Sequence, residues 1–223
     1  MIRRYAGECV LTVLMVAVFT GCANTISGTV SWPGARLQKA LLTAADFPAG
    51  VQYDRFVDNP SQPDGAGGLP IMRSKPEGCS NGLTDAIAGS AEHGPGSAAK
   101  YRVQYDGAGI VMTVSTWPLD LNRLAATASR CEHFQVFFDP VSEGIPITTT
   151  KVPSAHKGAL VYQQTMRLHG AERSVYASFE NIDRTGVFGV AIPTDNPGIA
   201  VKASLPQTFL DIVGKQADRA GSA

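Results

Sequence analysis

The spacing of apolar positions changes several times along the chain, and each change marks an expected element. Cys9 to Thr20 is an uncharged apolar run, preceded by Arg3, Arg4 and Glu8 and followed at once by Gly21 and Cys22. A run of about a dozen residues is too short to span a bilayer as a helix but has the length of a signal-peptide core. Residues 23–36 are small and polar, with Gly28, Pro33 and Gly34, and read as a tether; order is expected from Leu37. Leu41 to Pro48 predicts a short helical turn stopped by Pro48. Val51 to Val57 predicts a strand, and the Pro- and Gly-rich residues 58–78 a long surface loop. A short helix over Asn81 to Ala88 and a loop through His93-Gly94-Pro95-Gly96 follow.

Strict alternation then takes over. Tyr101, Val103 and Tyr105 alternate with Arg102 and Gln104, and Ile110 to Trp117 is rich in β-branched residues, so two strands flank the turn Asp106-Gly107-Ala108-Gly109. Leu121, Leu124, Ala125, Ala128 and Cys131 share one helical face. Phe134 to Phe138 is a further apolar stretch, and the Thr-rich Ile145 to Val152 reads as an edge strand. Leu160, Tyr162, Met166 and Leu168 face one way, against Val161, Gln163, Thr165 and Arg167. The turn His169-Gly170-Ala171-Glu172 leads to Val175, Ala177 and Phe179, alternating with Ser174, Tyr176 and Ser178. Val187 to Ile192 is apolar on both faces, as a central strand would be. Ser204, Pro206 and Gln207 open a last helix with the stripe Leu205, Phe209, Ile212 and Val213, and residues 218–223 are expected to be a disordered tail. The expected fold is a single α+β domain over residues 37–217: a mostly antiparallel sheet covered by helices on one face.

Composition narrows the function. Formal net charge is +0, and because Arg3, Arg4 and Glu8 leave with the leader the mature chain is near −1. No basic stripe is present, which argues against a nucleic-acid partner, since phosphate neutralisation needs clustered Lys and Arg. Val18-Phe19-Thr20-Gly21-Cys22 has the form of a lipobox, with Phe19 where Leu is usual. It predicts a signal peptide over residues 1–21, cleavage before Cys22, and diacylglycerol and further acyl chains on that thiol. Residues 22–36 would then be a lipidated flexible tether holding the domain on the extracytoplasmic face of the cell membrane. An ordinary secretory signal cut near Ala23, or an uncleaved anchor, is the alternative. With Cys9 removed and Cys22 acylated, Cys79 and Cys131 remain, and an exported chain with one such pair is expected to join them. That bridge would close a loop of about 52 residues, worth on the order of 4 kcal/mol in the chain-entropy view; two buried free thiols are the alternative.

Few residues carry chemistry. Gly78-Cys79-Ser80-Asn81-Gly82 matches G-x-S-x-G, which makes Ser80 a candidate nucleophile of an envelope hydrolase. Arg73-Ser74-Lys75-Pro76-Glu77 before it does not read as a buried central strand, so the expectation is no catalytic residue. His93, His133, His156 and His169 lack metal-ligand spacing and are expected to be solvated; no metal and no cofactor are expected. Trp32 lies in the tether. Trp117, Tyr162 and Phe188 are candidates to line a ligand groove.

Cys22-Ala-Asn-Thr-Ile-Ser-Gly-Thr-Val, then Leu41-Leu42-Thr43-Ala44-Ala45-Asp46-Phe47-Pro48-Ala49-Gly50, then one cysteine in each of two helices, resembles exported lipoproteins of mycobacteria and related actinobacteria. Several of these are similar to the extracellular sensor domain of the PknH-type serine/threonine kinase. The resemblance implies a central antiparallel sheet, flanking helices and a ligand cleft. That sensor domain carries two disulfides, whereas this chain has cysteines for one. The expected function is a non-enzymatic, membrane-anchored envelope lipoprotein with a sensor-like domain for a small-molecule or lipid ligand, or for an envelope protein partner. A structural lipoprotein without ligand is a further alternative.

Overall fold

The computed structural model of the chain describes residues 33–56, 72–88, 96–139, 141, 143–168 and 170–223. The stretch expected to be a leader, Cys22, Trp32, His93 and His169 lie outside the described residues, as does most of the expected loop 58–78. In chain order the elements are α1 (Pro33–Ala40), a 3-10 turn (Ala44–Asp46), β1 (Gln52–Phe56), β2 (Arg73–Lys75), α2 (Gly82–Ala88), β3 (Ala98–Tyr105), β4 (Ala108–Ser115) and α3 (Leu121–Arg130). They continue with β5 (His133–Phe137), β6 (Ile145–Lys151), β7 (Leu160–Leu168), β8 (Ala171–Ile182), β9 (Thr185–Ile192) and α4 (Gln207–Gly221). Among the described residues no helix is long and apolar enough to cross a membrane.

The nine strands form one sheet in the order β1-β3-β4-β9-β8-β7-β6-β5-β2, and every neighbouring pair is antiparallel. The chain is therefore α+β and mostly sheet. Val161 and Tyr162 are adjacent on β7, so their side chains leave opposite faces. Val161 joins a core with Leu37, Leu41, Met112, Tyr176 and Phe209, beneath α1 and α4. Tyr162 joins a second core with Leu83, Leu124, Ala128 and Phe179, beneath α2 and α3. A third cluster, Cys79, Cys131, Phe134, Val136 and Ile147, extends that second face toward β5.

The expectation of helices on one face is thus corrected: they lie on both faces, and each set covers part of one. Width explains this. Nine strands at about 4.8 Å spacing span about 38 Å, whereas a helix is about 10 Å across. One pair of helices cannot roof such a sheet, and its twist turns the two halves of a face away from each other.

Other details differ from the sequence reading. β6 is an interior strand between β7 and β5, not an edge. Among the described residues the edges are β1 and β2, and β2 lies inside the stretch read as loop. Its three residues are too few to show a period; only pairing with β5 makes them a strand. The first helix begins at Pro33, within the expected tether. At the other end α4 runs through Gly221, past the start of the expected tail. Side-chain contacts secure that last turn: Arg219 Nη2 donates to Asp46 Oδ1 at 2.8 Å, and Asp46 accepts from Thr43 N at 2.7 Å. Those hydrogen bonds and the Arg219 charge hold the Asp46 carboxyl below its ordinary value, the Thr43 backbone bond contributing most.

A candidate binding groove and a buried acid–imidazole pair

The groove begins with a proline. Strands β8 and β9 meet across a two-residue turn, Asp183-Arg184, with Ile182 opposite Thr185; Asp183 takes the left-handed backbone (φ 52°) such a turn needs. Residues flanking that turn form a hydrogen-bonded pair, and bonded pairs recur at every second residue. Even-numbered residues of β8 therefore aim N–H and C=O at β9, and odd-numbered ones at β7. The β8–β9 ladder stops at Tyr176↔Ala191. The next bonded position would set Ser174 against Pro193, which has no N–H to give. Beyond it the chain stays with the β3–β4 turn instead: Gly107 N donates to Thr194 O at 2.9 Å and Thr194 N to Gly107 O at 3.4 Å. Gly107 has φ +100°, and a Cβ there would lie 3.1 Å from Ala203 O, so that close approach requires glycine.

Residues Ala171 to Val175 of β8 are consequently paired with β7 alone. The opening beside them is a groove of about 350 Å³, lined by Gly107, Glu172, Ser174, Tyr176, Pro193 and Leu205. Tyr176 rests on Phe209 of α4, with ring centroids 6.4 Å apart. The side chains of the two unladdered residues are engaged elsewhere. Ser174 Oγ accepts from Gln163 Nε2 at 2.8 Å and lies 2.9 Å from Thr165 Oγ1, while Glu172 accepts from Arg167 at 2.8 Å. What Glu172 and Ser174 offer the groove is backbone.

Further along the same face of β8 stands Glu180. Its side chain is 7% exposed, with Oε1 3.4 Å from His156 Nδ1. His156 comes from the β6–β7 connection, and its Nε2 lies 3.9 Å from Asp218 Oδ1 on α4. The ring packs against α4 at Gly214, where a Cβ would make only an ordinary contact, 3.5 Å from Nε2. Glu180 Oε2 and the neighbouring Ser178 Oγ are buried without a hydrogen-bond partner. Burial pushes the Glu180 carboxyl above its ordinary value of 4.5; His156 counters part of the rise and Asp218 adds to it. A carboxyl raised by folding holds its proton more tightly in the folded chain. Its contribution is therefore full below about pH 4.5 and is lost as pH climbs through the folded-state value. E180Q cannot titrate there. In melting experiments from about pH 4 to pH 7, wild type is expected to lose stability relative to E180Q as pH rises; a difference that grows the other way would refute this.

The sequence candidates are placed as follows. Cys79 and Cys131 are disulfide-bonded, with Cα atoms 5.5 Å apart. Ser80 Oγ donates to Met72 O at 2.7 Å, and the residue follows the three-residue edge strand β2. Of the two described histidines, His133 lies beside Glu132 and His156 between Glu180 and Asp218. Tyr162 and Phe188 come together, but in the core under α3, with Tyr162 buried and its hydroxyl's ionisation pushed up by that burial. Trp117 stays half-buried in the segment before α3. These three do not line the groove described above. The sequence reading missed that groove and Glu180. The signals were present in Pro193 directly after a strand, and in Glu180 continuing the series Ser174, Tyr176, Ser178. Among the described residues no group of three His, Cys, Asp or Glu is placed to hold a metal.

The fold and the groove define a single-sheet α+β domain with one interior strand partly unpaired. No family model matches the chain, and no curated protein matches it. Among solved structures it is similar to an uncharacterized protein from Mycobacterium smegmatis, the Rv0999 ortholog. The two are 12% identical with a TM-score of 0.48, over 85% of this chain and 95% of that one.

Proposed function

We propose that this chain is a membrane-anchored extracytoplasmic lipoprotein whose domain is a non-enzymatic, sensor-like binding module, with the β8–β9 groove as its site. The groove is the observation that carries the binding part. Its volume falls at the lower end of ligand pockets, and its lining sets Tyr176, Pro193 and Leu205 beside the polar Glu172, Arg173 and Ser174. The lipobox at Cys22 supports the anchor. The Cys79–Cys131 bridge supports an oxidising compartment outside the cytoplasm. The hydrogen bond from Ser80 to a backbone carbonyl favours binding over a Ser80 hydrolase. The ligand is a component of the envelope: a small molecule, a lipid or a partner protein.

Two experiments test this. Cys22→Ala should leave the precursor unacylated and uncleaved; a variant that still fractionates as mature and membrane-bound would overturn the anchor. For binding, envelope extract should shift the NMR signals of Tyr176 and Leu205. Extracts and candidate partners that leave the groove signals unmoved would overturn the binding reading.

A further inference from the structure

We infer that the groove is a strand-addition site, which takes an extended segment of a partner protein and pairs it with the backbone of Glu172 and Ser174. This rests on the binding reading above and names its occupant. The two residues point two N–H and two C=O groups along one line, about 7 Å apart from residue to residue. A lipid tail has nothing to match that row. An extended backbone presents the complementary alternation at the same spacing.

The side chains around the row specify the segment. Cross-strand neighbours point to the same face of a sheet. The partner residue opposite Ser174 therefore emerges on the face of Tyr176 and Leu205, where an apolar, β-branched side chain fits. The residue opposite Arg173 emerges on the other face beside that guanidinium, where an acidic side chain is complementary. The outer edges are poorer hosts. Strand β1 carries Asp54 and Arg55, and β2 has three residues and runs into Pro76, both common protections against edge pairing. The β8 overhang instead lies inside the sheet order, with the departing chain at Pro193 and the Gly107 turn as a far wall.

The register supplies discriminating variants. Glu172→Pro deletes an N–H that no strand uses and disturbs only an exposed ion pair with Arg167, so the fold should stand. Arg173→Pro deletes an N–H bonded to β7 and should lower the melting temperature, which checks the register itself. Pro193→Val restores a donor opposite Ser174 and should close the gap by extending β9.

The probe is a library of random linear peptides of about twelve residues, selected on the immobilised, folded wild-type chain. Selected peptides should bind wild type at least about tenfold more tightly than either Glu172→Pro or Pro193→Val. They should also slow hydrogen exchange at the Glu172 and Ser174 amides. Peptides that bind all three proteins alike, or no enrichment at all, would overturn strand addition. An envelope lipid or metabolite fraction that shifts Tyr176 and Leu205 equally in wild type and Glu172→Pro would overturn it too, while leaving the binding reading intact. If neither probe moves the groove signals, both readings fall.

Discussion

Removing the Cys79–Cys131 bridge is expected to lower unfolding free energy by about 2–4 kcal/mol. The bridge closes a loop with a sequence separation of 52, and freeing that loop enlarges the unfolded ensemble. The native side adds to the effect. Both cysteines are almost fully buried, among Phe134, Val136 and Ile147. The backbone before α2 is tied to the same spot, because Ser74 Oγ accepts from Cys79 N at 2.9 Å and Ser80 N at 3.2 Å. Helix α2 has only seven residues and α3 ten, too short to persist without tertiary support. Urea titration of a Cys79→Ala/Cys131→Ala variant measures the loss. Hydrogen exchange should place it in α2, α3 and β5, with α4 unchanged. A loss under about 0.5 kcal/mol would mean that packing alone holds this corner.

The second large effect is expected at Gln216. It is fully buried on α4 and joins α1 to that helix through both ends of its amide. Nε2 donates to Ala40 O at 2.6 Å, and Oε1 accepts from Leu42 N at 3.2 Å. Gln216→Leu keeps the volume and removes both partners. It leaves a buried backbone N–H and a buried C=O unsatisfied, at about 1–3 kcal/mol each, so a loss of about 2–6 kcal/mol is expected. Chemical denaturation gives the total. Exchange at the Leu42 amide gives the location, and it should rise before exchange in the central strands does. A Leu variant as stable as wild type would show that water reaches these groups, and that the α1–α4 contact is held by its apolar residues alone.

The two cases differ in how far they could be read without coordinates. The disulfide followed from counting: once Cys9 and Cys22 were assigned to the leader and the lipid site, two cysteines remained, one of them on the apolar face of an expected helix. Gln216 gave no such signal. A glutamine in a helix is ordinarily solvated, and only the arrival of α1 from the far end of the chain makes its amide structural. The same contrast runs through the sheet. The hairpin strands from Tyr101 to Trp117 and the helix from Leu121 to Arg130 were legible because alternation and helical spacing repeat over enough residues. Strand β2 was not, since three residues contain no period. The faces were misjudged as well. Ser174, Tyr176, Ser178 and Glu180 look like a polar outer row, yet part of that row lies under α4.

The candidate site divides along the same line. Pro193 and the alternation of β8 were present in the chain, but the groove exists only because Ser174 comes opposite that proline. Glu180 is a surface-type residue by composition and becomes a buried acid because His156 and α4 close over it.

The sequence by itself determined the longer strands and helices and where the hairpins between them turn. These are set by covalent geometry and by side-chain periods of two and 3.6 residues. It also carries the lipobox-like pattern ending at Cys22, on which the proposed compartment rests. The tertiary structure decided the strand order, the division of helices between two faces, the splay after Ala191 and the burial of Glu180. Each depends on register and contact between residues far apart in sequence, and no local pattern encodes them. A shift of one residue between β8 and β9 would move Pro193 out of the bonded position and send every side chain of that ladder to the opposite face.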